Sequence, residues 1–254
     1  LKVCKQKLDK YDVKYSRLIA TEACRRAKNS KDFILKVFQE TGLKLNIIDT
    51  EEEARLAVIS CAPLVSSKSE QLLVVDIGGG STELVWIDLS AVPSHERPKS
   101  IMRLHSGFHS IESPFPAARV VDWISVPLGV ATLRDQFNDV EDDAARFALM
   151  SWYFEEKLTD FAPYKDNKID TSFQIIGTSG TVTTVASSHL GLRRYDRTKV
   201  DGLRMTTDQI DKVIRSYLEM GPDGRKKDPR IGRDRQALIT VSYTHLTLPT
   251  NREV

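Results

Sequence analysis

Short apolar runs alternate with amphipathic stretches along most of the chain, and their periods separate strands from helices. Residues 15–20 set Tyr15, Arg17 and Ile19 against Ser16, Leu18 and Ala20, which predicts a strand, and residues 21–27 then read as helical. Ser30 stands as the N-cap of a helix over residues 31–40, with Phe33, Val37 and Phe38 on one face and Gly42 stopping it. A short strand over 45–48 precedes a helix over 51–60 opened by Thr50, with Ala54, Ala57, Val58 and Cys61 inward. Residues 72–76 and 82–87 form two apolar strands around Gly78, Gly79 and Gly80, a hairpin. Residues 89–122 hold four prolines and three histidines and read as a long surface hairpin loop before a strand over 123–126. Helices follow over 128–137 and 141–158, the second with a Phe147, Phe154 and Leu158 core stripe. A strand over 173–176, a glycine-bounded loop, a helix over 181–189 and a last complete helix over 207–218 close the pattern.

Length and composition fit an α/β fold with at least one full core: 254 residues with 41% hydrophobic positions exclude disordered and fibrous classes. No stretch approaches the roughly 20 apolar residues of a membrane helix, and the four lysines of the first ten residues precede no signal-peptide core. The expectation is a soluble cytoplasmic protein with no membrane partner. Cys4, Cys24 and Cys61 lack metal or disulfide spacing and take no role. A net charge of +2 excludes no class by itself and gives no support for nucleic acid. Residues 193–235 carry thirteen basic against eight acidic positions, which reads first as a solvated face and second as a path for a polyanion. His95, His105 and His109 share no helical or strand face, so they read as solvated loop residues rather than metal ligands.

The chemistry concentrates in four places. Asp76 and Glu83 flank Gly78, Gly79, Gly80 and Ser81, so three successive glycines can bring amides close to a phosphate while the two carboxylates hold Mg²⁺ at the same mouth. Gly177, Thr178, Ser179, Gly180 and Thr181 follow a buried strand and open a helix, a second place for an anion or an ordinary N-cap. Glu53 completes a Thr50-x-x-Glu53 capping box, so its first reading is a helix cap. Arg25 ends a helix, where it is either solvated or turned toward a phosphate.

Ala20-Thr21-Glu22-Ala23-Cys24-Arg25-Arg26-Ala27-Lys28-Asn29, Glu52-Glu53-Ala54-Arg55-Leu56-Ala57, and Asp76 through Val85 with its triple glycine are the leading blocks of a resemblance. Pro127-Leu128-Gly129, Gly177 through Thr181, Tyr195-Asp196 and Lys199-Val200 continue it in order. Together they resemble the exopolyphosphatase and guanosine pentaphosphate phosphohydrolase family of the actin-like ATPase (ribonuclease H-like) superfold. The resemblance implies a Mg²⁺-dependent hydrolase of polyphosphate or of pppGpp and allows a homodimer of the full-length parent. It maps Glu53 onto the base that activates water, and Asp76 and Glu83 onto the metal-holding acids. Gly78, Gly79, Gly80 and Ser81, with Gly177 through Thr181, map onto the phosphate loops, and Arg25 onto a phosphate-facing arginine.

Two departures shape the expected organisation. The family's opening hairpin with its own phosphate loop has no match, and Asp201-Gly202 stands where a His-Gly pair is expected. The chain is therefore expected to be a fragment, inert by itself, with residues 1–48 an incomplete first lobe and residues 49–241 the second lobe. Residues 242–254 resemble a translated sequencing-adapter junction and are expected to be a non-native tail. Two alternatives stand beside the hydrolase: a binding module without turnover, in which Glu53 only caps its helix, and a sugar-kinase-like ATPase relative.

Overall fold

In the computed structural model, residues 1–106, 108, 117–161 and 172–231 are described. The chain divides into two units, residues 1–53 and residues 54 onward, with the boundary between Glu53 and Ala54.

In the first unit, helix α1 (Lys2–Lys10) precedes strand β1 (Leu18–Ala20), helix α2 (Glu22–Arg26), helix α3 (Ser30–Thr41), strand β2 (Leu45–Ile47) and the opening turn of helix α4 (Thr50–Ser60). β1 and β2 pair in parallel, Leu18 opposite Leu45 and Ala20 opposite Ile47. A parallel pair needs a crossover, and α2 with α3 supplies it. Gly42 terminates α3 in the left-handed region (φ 72°) while its amide bonds the Phe38 carbonyl at 2.8 Å, the stop read from the sequence. The strand expected over 15–20 is shorter than its alternation, and α1 was not expected, because none of its residues is buried.

The second unit is built on four strands, β3 (Gln71–Ile77), β4 (Thr82–Asp88), β5 (Arg119–Val126) and β6 (Phe173–Thr178), in the order β5-β4-β3-β6. β3 pairs antiparallel with β4 and parallel with β6, while β4 pairs antiparallel with β5. Side chains alternate across a strand, so each face has its own core. Leu72, Val74, Val85, Ile87 and Ile176 face Ala54, Val58 and Cys61 at the α4 end and Ile101 of helix α5 (Arg97–Met102). Leu73, Val75, Ile77 and Leu84 face Leu133 of helix α6 (Val130–Gln136) and Met150 and Phe154 of helix α7 (Asp143–Lys157). Each such side chain contributes roughly 1.5–3 kcal/mol when fully buried. Helix α8 (Ser179–His189) leaves β6 and joins helix α10 (Thr207–Lys227) through Val185, Val213 and Tyr217, with the short α9 (Arg197–Val200) between them.

Two expectations are corrected. The part of residues 89–122 that is described is no surface loop: Leu89, Val92, Ile101 and Leu104 are buried, and β5 begins at Arg119. Its prolines misled because Pro98 stands in the first turn of α5, where a missing amide costs nothing. Arg97 is buried there, donating to the Val92 and Ser67 carbonyls and to Glu70. The helix expected over 207–218 is present and is broken at Gly221 (φ 62°, ψ 178°), but a second helical stretch that was not expected opens at Pro222 and runs to Lys227. His95 is 79% exposed at its side chain, in keeping with a solvated residue, whereas the His105 side chain, His109 and the tail 242–254 lie outside the described residues.

Candidate active site

A polar row crosses the sheet of the second unit where the apolar rows end. Asp76 is the cross-strand partner of Glu83, Glu83 of Ser125, and Asp76 of Thr178, so Ser125, Glu83, Asp76 and Thr178 stand side by side on four neighbouring strands. Directly opposed residues share a face, which puts both carboxylates on the face of Val74, Val85 and Ile176. Glu83 is buried, and its Oε1 accepts from the Ser125 hydroxyl at 2.9 Å. Burial pushes the Cys61 thiol up to about 11, a Ser60 hydrogen bond opposes the shift, and the Asp76 charge adds to it.

The glycine turn between β3 and β4 is shaped by α6. The Gly78 and Gly79 carbonyls accept from the Val130 and Ala131 amides at 3.1 and 2.9 Å, so the turn satisfies two of the orphan donors of that helix. A peptide unit is planar and trans, so carbonyls turned toward α6 direct the Gly79 and Gly80 amides the other way. Among the described residues, the Gly79, Gly80 and Ser81 amides have no acceptor. The requirement for glycine is therefore not a left-handed backbone, since none of Gly78, Gly79 and Gly80 has positive φ. Close approach instead demands a glycine across the gap: a Cβ on Gly129, the N-cap of α6, would lie 2.5 Å from Gly79 C and Gly80 N, whereas one on Gly79 would meet nothing within 4 Å.

The second loop leaves β6 at the same sheet end, because β6 is parallel to β3. Gly177 lies close to Val182, whose methyls would be 3.0 Å from a Cβ there and would have to give way to it. Ser179 adopts φ 78°, a conformation that costs a non-glycine residue energy and fixes a sharp turn into α8. Thr178 is the N-cap residue yet makes no side-chain cap bond, and the Thr183 and Thr184 hydroxyls donate back to the Gly180 carbonyl. Ser179→Gly is expected to stay within about 1 kcal/mol of the parent stability and Ser179→Val to lose about 2 kcal/mol. Urea unfolding checks this, and equal stabilities would contradict a left-handed turn.

The first unit holds an arginine between two acids. Arg25 Nη2 donates to Glu53 Oε2 at 2.7 Å and to Glu22 Oε2 at 3.0 Å, Nε donates to Glu22 at 3.2 Å, and Nη1 donates to the Ile48 carbonyl at 2.9 Å. Burial pulls the guanidinium pKa down, but Glu53 and then Glu22 outweigh it, and the net shift is upward. Among the described residues, four of its five N–H groups have an acceptor, and the fifth, on Nη1, has none. Glu53 does not form the expected capping box. α4 starts one residue earlier than that box requires, and Asp49 Oδ1 takes the Glu52 amide at 2.8 Å. The Glu53 side chain is turned instead to Arg25.

The Ppx/GppA phosphatase family model matches residues 1–242. The chain belongs to the Ppx/GppA phosphatase family. It superposes on the crystal structure of the Aquifex aeolicus family member with a TM-score of 0.69 at 27% identity, covering 98% of this chain and 70% of that one. An exopolyphosphatase from Cytophaga hutchinsonii matches in fold, with a TM-score of 0.72 at 20% identity over 96% of this chain and 69% of that one. A bifunctional 3-dehydroquinate synthase/phosphatase of Fusobacterium nucleatum is 26% identical over 252 residues, 91% of this chain and 32% of that protein. The chain thus spans about a third of the length of that curated relative. The fold is the actin-like ATPase fold of these Ppx/GppA structures.

Within this Ppx/GppA chain the structure brings Asp76, Glu83 and Thr178 into one row and sets both loops at one end of one sheet. It pairs Arg25 with Glu53. Sequence reading missed Glu22, although its position three residues before Arg25 on a helix is a pairing signal, and it missed Ser125, whose partner strand only the sheet order reveals. The described residues contain no group of three or more His, Cys, Asp or Glu that could hold a metal. The two adjacent carboxylates still fit Mg²⁺, which usually takes one or two protein carboxylates and completes its shell with water and substrate phosphates. No described helix is long and apolar enough to cross a membrane.

Proposed function

We propose that the chain is the catalytic portion of a phosphohydrolase that removes the terminal phosphate of inorganic polyphosphate or of guanosine pentaphosphate, with Mg²⁺ held by Asp76 and Glu83. The observation that carries this reading is the aligned carboxylate pair beside a glycine turn whose Gly79, Gly80 and Ser81 amides have no acceptor among the described residues. Bound Mg²⁺ would supply charge neutralisation on the phosphates. The amides of Gly79, Gly80 and Ser81 would bind phosphate oxygens, and the turn at Gly177, Thr178, Ser179, Gly180 and Thr181 would hold the neighbouring group at a helix start. Glu53, held in one orientation by Arg25, would take the proton from the attacking water, and the last Nη1 hydrogen of Arg25 would remain for a phosphate oxygen. Phosphoryl transfer demands positioning and charge stabilisation more than covalent help, which these groups provide.

The organisation proposed with it is that residues 1–48 are part of a first lobe and residues 49–241 a second lobe of a longer parent. The test is orthophosphate release from polyphosphate and from pppGpp by the full-length parent with Mg²⁺, compared with Asp76→Asn. Release lost in Asp76→Asn supports the reading. No release from either substrate by the parent overturns it.

A further inference from the structure

We propose that Ser125 is a positioning residue for the acidic pair: its hydroxyl fixes the Glu83 carboxylate in the orientation that receives a divalent cation. This rests on the reading that Asp76 and Glu83 hold the ion. Glu83 is only 2% exposed, and a buried carboxylate on a three-torsion side chain needs donors both to remain charged and to keep one rotamer. Ser125 supplies one at 2.9 Å, from the strand position directly opposite.

The hydroxyl itself stands on a fixed backbone. Thr82 and Val126 are partners in the next register position, the Thr82 hydroxyl donates to the Leu128 carbonyl at 2.9 Å, and the Leu128 amide donates to the Val126 carbonyl at 2.7 Å. Two residues before Ser125, Trp123 packs on the Phe108 ring with centroids 5.8 Å apart. Strand, turn and core therefore leave Ser125 little freedom, and Glu83 inherits that rigidity. Groups that hold a metal ligand by hydrogen bonding commonly set affinity by about 10–100-fold.

The test is Mn²⁺ binding by the 254-residue chain, read from the electron paramagnetic resonance signal of free Mn²⁺, with circular dichroism melting to count the folded fraction. Ser125→Thr and Ser125→Val have the same shape and differ by the hydroxyl alone. Ser125→Val and Ser125→Ala are expected to bind Mn²⁺ about 10-fold or more weakly, and Ser125→Thr within about threefold of the parent. A residue that only stabilised the fold would lower the melting temperature and leave the affinity of the folded fraction unchanged. If Ser125→Val binds as tightly as Ser125→Thr while Glu83→Gln loses Mn²⁺, the positioning role alone is overturned. If the parent binds no Mn²⁺, or Glu83→Gln binds like the parent, the metal reading falls and this inference falls with it.

Discussion

Glu53→Gln in the full-length parent is expected to lower turnover by about 10²-fold or more with no loss of folding, because a positioned general base contributes about that much. The local geometry makes the substitution clean. Gln keeps an oxygen acceptor for Arg25 Nη2, now 2.7 Å from Glu53, and Asp49 rather than Glu53 caps α4, so the helix start is not disturbed. Arg25 also keeps Glu22 and the Ile48 carbonyl. Single-turnover and steady-state phosphate release, with circular dichroism as the folding control, measure the effect. Turnover near that of the parent would leave Glu53 as a partner of Arg25 and nothing more.

Gly129→Ala is expected to be the most disruptive single methyl in the second unit, at about 3 kcal/mol, because overpacking here has no soft neighbour to move. The added Cβ would meet backbone atoms of Gly78, Gly79 and Gly80 at 2.5–2.6 Å, and relief requires α6 to withdraw from the turn whose carbonyls cap it. Gly79→Ala is the matched comparison: its Cβ meets nothing within 4 Å and its φ is not in the left-handed region, so its stability is expected within about 0.5 kcal/mol of the parent. Urea denaturation of both variants decides. Equal losses would mean that the turn needs glycine for its own conformation and not for its approach to α6.

The three glycines illustrate how far a sequence carries. Their run marks a turn between two apolar strands, and the turn is there, with no left-handed dihedral at any of the three. Dihedral freedom is a local property that a sequence pattern suggests, whereas the 2.5 Å approach of Gly129 involves a residue some fifty positions away. The capping box at Thr50 and Glu53 failed for a related reason. Two motifs one residue apart, Asp49-x-x-Glu52 and Thr50-x-x-Glu53, compete for one helix start, and the Arg25 side chain, distant in sequence, engages Glu53 for an ion pair instead.

The sequence by itself determined the order of most elements, the hairpin of β3 and β4, the stop at Gly42 and the places of the two glycine-bearing loops, since these depend on periods and residue types within a few positions. It also carried the motifs by which the family is recognised. The tertiary structure alone decided that Ser125, Glu83, Asp76 and Thr178 form one row, that α6 takes the carbonyls of the glycine turn, and that Glu22 and Glu53 share one arginine. The physical reason is that strand order and register bring together residues as far apart as Asp76 and Thr178, and a one-residue slip in register would reverse which face each carboxylate occupies.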